Sequence, residues 1–279
     1  NGIINFMGGI GSIIAFLIGS SLYKMNPAYP FWLGSILVIL AALLVFLFIK
    51  EPKVYEEKGE ARPSLLASLR EVLQDRDRSA LRVLLAIFFW FVAYNAIEAF
   101  FTLYAKNHLD LPEADGARLL GHMSLIFVLF ALPAGIIGSR VGRRITISIG
   151  ITILGLCMFS MYFLPVGTLT TVLGGLPVLG DVLGISIVLM IAGFAWALIN
   201  INSLPMVVDM TTPVKIGTYT GLYYLFSTLA AIAGPNINGW IIQLSGNNYA
   251  TTMIAGPIFM FIAFLMMIGV RRGEAVQQG

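Results

Sequence analysis

Eight stretches of this sequence are apolar, continuous and long enough to cross a lipid bilayer as helices. They run over about 3–23, 31–49, 82–105, 118–138, 145–164, 182–206, 217–242 and 250–270. Crossing about 30 Å of hydrocarbon takes roughly 20 such residues in a helix. With no water in the bilayer core, only helices and closed barrels satisfy their own backbone polar groups. Continuous runs select helices over a barrel, whose strands alternate with period two. The seventh run carries Gly234-Pro235, a candidate kink. The predicted fold class is all-α, a polytopic helical bundle in a membrane.

Composition agrees. The 279 residues are 58% hydrophobic and 11% charged, and mean hydropathy is +0.89. Soluble domains carry about 25% charged residues. A chain this apolar is excluded as a soluble enzyme, a disordered polymer or a nucleic-acid binder, and its net charge of +3 implies no nucleic-acid partner. The single cysteine, Cys157, lies inside an apolar run and forms neither an internal disulfide nor a thiolate cluster. The 12 methionines show no metal-like clustering and suit core filling. No nucleophile motif, phosphate loop or metal-ligand set is visible, so neither an enzyme nor a cofactor or metal is expected.

The basic residues orient the bundle. If the segment between the second and third spans faces the cytoplasm, that side holds Lys50, Lys53, Lys58, Arg62, Arg70, Arg76, Arg78, Arg82, Arg140, Arg143, Arg144, Lys215, Arg271 and Arg272. The other side holds Lys24, Lys106 and Arg118. By the positive-inside rule both ends of the chain are expected in the cytoplasm of a cell membrane. Residues 1–23 lack a basic leader and a small-residue cleavage site, so they are not a signal peptide. A start at Asn1 suggests a piece of a longer protein.

Residues 50–82 form the one long polar stretch and carry 15 of the 31 charges. Ser64 is placed to cap a short amphipathic helix with Leu65, Leu66, Leu69, Val72 and Leu73 on one stripe. Such a helix is expected on the membrane surface. The domain division follows: residues 1–49 as two helices of one bundle, 50–81 as a central cytoplasmic loop, and 82–279 as a six-helix bundle.

Ionisable groups inside a span are costly and mark function. Of the acids, Glu98 alone lies well inside an apolar run, whereas Asp181 and Asp209 sit at span ends. Tyr94 and Asn95 lie four and three residues before it, on the same helix face. A carboxyl in that setting is a candidate for loading and releasing a proton. In the sixth span Trp196, Asn200 and Ser203 share a face, while Asn202 points about 160° away from Asn200. Aromatic rings beside amides and a carboxyl suit sugar recognition, with polar tips for hydroxyls and ring faces for the sugar ring. Amide glue between helices is the alternative use of these asparagines. Tyr219, Tyr223 and Ser227 form a further stripe. His108 and His122 lie near outer span ends, where a water-wetted histidine is the expectation.

Between the fourth and fifth spans lies Gly135-Ile-Ile-Gly-Ser-Arg-Val-Gly-Arg-Arg144. Glycines there permit a tight turn and close helix approach. Arginines stay at the headgroups, where they can bind helix C-termini or acids. This loop resembles the signature loop of the major facilitator superfamily at Gly135, Arg140, Gly142, Arg143 and Arg144, with Ser139 standing where the family has Asp. The resemblance implies a loop joining helices 8 and 9, so that the eight spans are helices 5 to 12 and helices 1 to 4 lie outside this sequence. Gly2–Met7 and Gly221–Phe226 would open the corresponding helices 5 and 11. The stretches Tyr94–Phe101 and Asn202–Asp209 resemble sucrose/maltose:proton symporters and, more distantly, glycoside–pentoside–hexuronide:cation symporters. That likeness implies alternating access in a monomer, with a sugar and H⁺ or Na⁺ as partners. Glu98 is expected to couple the cation, and Tyr94, Asn95, Trp196, Asn200 and Asn202 to bind substrate. A drug or metabolite:proton antiporter is the main alternative, although the first span lacks the proline of that branch's antiport motif. A non-transporting solute sensor is a second alternative.

Overall fold

The computed structural model describes residues 2–49, 65–75, 77–176 and 180–273. Eight of its helices are long and apolar enough to cross a membrane. Two come first, α1 (Gly2–Met25) and α2 (Tyr29–Phe48). A short α3 (Leu65–Gln74) precedes α4 (Ser79–Asn107), α5 (Glu113–Val141) and α6 (Arg143–Phe163). After a one-turn α7 (Val166–Thr170), strands β1 (Val172–Leu176) and β2 (Gly180–Leu183) pair antiparallel. The chain then continues through α8 (Gly184–Val208), α9 (Ile216–Leu244) and α10 (Thr252–Ile268). The small hairpin is the one departure from an all-helical chain among the described residues, and three of its nine strand residues are glycines.

The core lies between α4, α5, α6, α8, α9 and α10. Small residues set the closest approaches. A side chain at Gly193 of α8 would run into the Met123 carbonyl of α5, and one at Gly150 of α6 into the Ala195 carbonyl of α8. Transmembrane helices associate through such bare backbone, because lipid offers no hydrophobic drive toward a neighbour. The Gly234-Pro235 pair does not interrupt α9, which runs unbroken through it. Gly234 rests against the Val92 carbonyl of α4, and Asn236 and Asn238 donate to the Ile232 and Gly234 carbonyls at 2.7 and 2.9 Å. Neither bond reaches the Ala231 carbonyl, the one that Pro235 leaves without its helical N–H partner.

The expected capping residue Ser64 and the side chains of Leu65 and Leu66 lie outside the described residues. Helix α3 itself is present and docks on α9 and α4. Val72 is buried in the main core, Leu69 is half-buried and Leu73 is exposed, so the stripe is narrower than expected.

The two ends of the bundle are tied differently. At the Arg143 end, α5 stops at Val141 and α6 starts at Arg143, leaving Gly142 alone to make the turn. Its φ of 107° is a conformation that side-chain-bearing residues rarely adopt. Arg143 forms an ion pair with Asp209 at the end of α8, and Arg144 donates to the Ile268 carbonyl at the end of α10 (2.6 Å). Cations suit these positions because helix C-termini carry partial negative charge. Arg82 likewise donates to the Gly269 carbonyl, and Arg272 pairs with Asp75 and Asp77. Arg140 of the same loop is exposed.

At the opposite end α1 is tied to α5. Tyr23 donates to Glu113 (2.5 Å), Ser20 to the Ala114 carbonyl (2.7 Å) and Lys24 to Asp115 (2.6 Å). Lys106 of α4 takes the second Glu113 oxygen at 2.6 Å.

Candidate functional site

A cavity of about 360 Å³ opens between α1, α4, α5 and α8. Its lining comprises Gly8, Gly9 and Ser12 from α1, Tyr94 from α4, Met123, Ser124 and Phe127 from α5, and Trp196 and Asn200 from α8. None of these side chains is charged. The rings of Tyr94 and Trp196 stack almost flat, 3.7 Å between centroids and 5° apart. Phe91 meets Trp196 edge-on at 5.3 Å and Tyr223 at 6.4 Å, which braces the pair from behind. Tyr223 in turn shares a hydrogen bond with Ser203 at 3.1 Å, joining α9 to α8. Aromatic contacts of this kind contribute about 0.5–1.5 kcal/mol each beyond area burial. The platform is therefore held in place before any ligand arrives.

Three expected contact residues, Tyr94, Trp196 and Asn200, meet in this cavity. Two others do not. Asn202 is buried, and its amide donates to the Ala134 carbonyl of α5 (3.0 Å) and to Leu198 in its own helix (2.9 Å). A side chain at Gly138 would collide with it. In a regular α8, the angle between Asn200 and Asn202 sends the second amide into the α5 contact and away from the cavity lining. Asn95 bonds back to the Phe91 carbonyl at 2.7 Å, and its Cβ lies on the side of α4 that meets Gly234 of α9. It is not part of the cavity wall.

Glu98 lies one helical turn from Tyr94 on α4 and is exposed. No hydrogen bond or ion pair engages it among the described residues. Its carboxylate is thus next to the cavity lining rather than in it. His122, expected to be wetted, is fully buried in α5, and neither ring nitrogen has a partner among the described residues. His108 is half-buried and packs on Tyr104 at 5.1 Å. Desolvation lowers its pKa below the usual histidine value.

Sequence inspection missed Gly8, Ser12, Ser124 and Phe127. None of them carries a chemical signature, and nothing local says that α1 lies along α5.

The sequence also matches a known family. The model of the Major Facilitator Superfamily matches residues 1–190 and again 124–279. The chain belongs to the major facilitator superfamily. Residues 124–190 fall in both matches, as two copies of one repeat in a fold would produce. The superfamily is one of transporters. Among solved structures, the superfamily transporter FucP in its outward conformation is similar, at 16% identity and a TM-score of 0.60, over 87% of this chain and 54% of that one. A variant of the E. coli fucose:proton symporter FucP is similar at 15% identity and a TM-score of 0.65, over 97% of this chain and 68% of that one. At these identities the likeness is one of fold, and this chain spans only part of their length. No curated protein sequence matches it.

Proposed function

We propose that this superfamily member is a secondary active transporter for a neutral, hydroxyl-rich solute, a disaccharide or glycoside, moved together with a proton. One observation carries the proposal. The cavity between the helices presents a flat aromatic pair beside an amide and two hydroxyls, with no charge in its wall. Ring faces suit the apolar faces of a sugar, and Asn200, Ser12 and Ser124 offer donors and acceptors to its hydroxyls. Among the described residues, the cavity wall offers a cationic drug or an anionic metabolite no counter-charge. The name of the fucose:proton symporter that this fold resembles is in keeping with such a substrate.

Glu98, one turn along α4 from Tyr94, is the proposed proton carrier. Protonated, it favours the loaded and occluded form, and release of solute permits deprotonation. The site then opens alternately to each side as two bundles rock around it. The loop of Arg140, Arg143 and Arg144 faces the cytoplasm in this scheme.

The test is uptake of labelled maltose, sucrose, D-glucose and L-fucose into proteoliposomes by the full-length protein, with and without an inward proton gradient. Gradient-driven accumulation of at least one sugar is expected. Glu98→Gln is expected to lose gradient-driven accumulation at least tenfold while still exchanging sugar across the membrane. A Glu98→Gln protein that accumulates sugar like the wild type ends the coupling assignment. A wild type that binds but never moves sugar identifies a sensor instead.

A further inference from the structure

The wall that α1 gives to the cavity is built from Gly8, Gly9 and Ser12. The two glycines are neighbours with different surroundings. At Gly9 an added Cβ would strike Val128 and crowd Phe127 of α5, so its bare Cα is what lets the two helices meet. At Gly8 an added Cβ would meet nothing within 4 Å. One turn on, the Ser12 hydroxyl donates to the Gly8 carbonyl at 3.2 Å, which keeps that short side chain close to its own helix. Gly8 lines the cavity, so a side chain at position 8 grows toward it and meets no neighbour among the described residues.

We infer that Gly8 sets the size of the solute the cavity admits. This rests on the sugar-transport assignment of the same cavity. A hydrogen at position 8 leaves the room that the second ring of a disaccharide or glycoside needs, on a wall that the Gly9–Val128 contact holds rigidly in place. Any side chain there subtracts volume from the ligand alone. Pockets that differ by one methylene discriminate between ligands by about 10–200-fold, so a four-carbon branch at this position gives a large selectivity change.

The experiment compares the full-length wild type with Gly8→Leu and Gly34→Leu in proteoliposomes, using labelled maltose, sucrose, D-glucose and L-fucose. Gly34 on α2 is the control: it is open in the same way and lies outside the cavity. Gly8→Leu is expected to lower disaccharide uptake at least tenfold relative to monosaccharide uptake, and Gly34→Leu to leave both unchanged. An equal loss of every sugar in the two variants, or a wild type that carries monosaccharides only, overturns the inference and leaves the transport assignment standing. A second measurement does not depend on sugar. Gly8→Cys is expected to react with a hydrophilic methanethiosulfonate reagent at least tenfold faster than Gly34→Cys, over the background of the buried Cys157. Equal rates overturn the inference. Fast labelling at Gly8→Cys in a protein that carries no sugar ends the sugar assignment but keeps Gly8 in the cavity wall.

Discussion

Helices α2 and α8 are both long apolar spans, yet their surroundings are opposite. No residue of α2 is buried, whereas 15 of the 25 residues of α8 are. Among the described residues α2 is covered chiefly by α1, while α8 is enclosed by α5 and α6 with α4 and α9 beside it. Hydropathy does not separate them, because α2 is the more apolar of the two. What separates them among the described residues is how their small residues are used. Helix α8 has Ala192, Gly193, Ala195 and Ala197 buried among its neighbours, and Asn202 bonded across to α5. Helix α2 has small residues too, Gly34, Ser35, Ala41 and Ala42, but none of them is buried against a described helix. Apolarity places a helix in the membrane; bare backbone and a few amides decide which helix it meets there.

That contrast breaks most sharply at the glycines. Gly193→Leu drives a side chain into the Met123 carbonyl and is expected to cost at least about 1–3 kcal/mol, with loss of monodisperse protein in detergent. The same change at Gly34 of α2 is expected to leave the unfolding temperature unaltered. If both variants unfold alike, packing density is not what distinguishes the helices. A smaller effect is expected at the amide. Asn202→Ala removes the bond to Ala134 and should cost roughly 0.6–1.7 kcal/mol in thermal or denaturant unfolding, with sugar uptake retained once the protein is folded. Loss of uptake without loss of stability would return Asn202 to the binding site.

The smallest effect is at the end of the enclosed bundle. The Asp77 carboxyl is held below the usual carboxylate range, first by the Ser79 hydroxyl (2.7 Å), then by the Ser79 amide and Arg272. A depressed carboxylate stabilises the fold above its unfolded pKa of about 3.9, and that support fades as pH falls through the lower folded value. Asp77→Asn should therefore unfold at a slightly lower temperature than wild type at neutral pH, with the gap closing below about pH 4. A gap that widens in acid contradicts this sign.

The spans were readable from the sequence because each is a continuous apolar run, and the turn at Gly142 because glycine and arginine sit where a tight corner between two helices needs them. Tyr94, Trp196 and Asn200 stood out as polar or aromatic residues inside hydrocarbon. Asn202 stood out for the same reason and lies against α5 rather than the cavity, since an amide facing a ligand and one facing a neighbouring helix have the same local sequence. The Gly234-Pro235 pair looked like a break, but α9 runs through it with Gly234 packed on Val92 of α4, a contact no local sequence announces. Gly8 and Ser124 were silent, because their importance comes from which helix lies opposite.

The ties between α1 and α5 have a kinetic consequence. Three consecutive residues, Glu113, Ala114 and Asp115, hold three side chains from the last two turns of α1, and Lys106 braces the first of them. Any motion that parts these helices at this end has to break all three ties, so together they slow that parting more than any one of them would, like several buttons on one short flap.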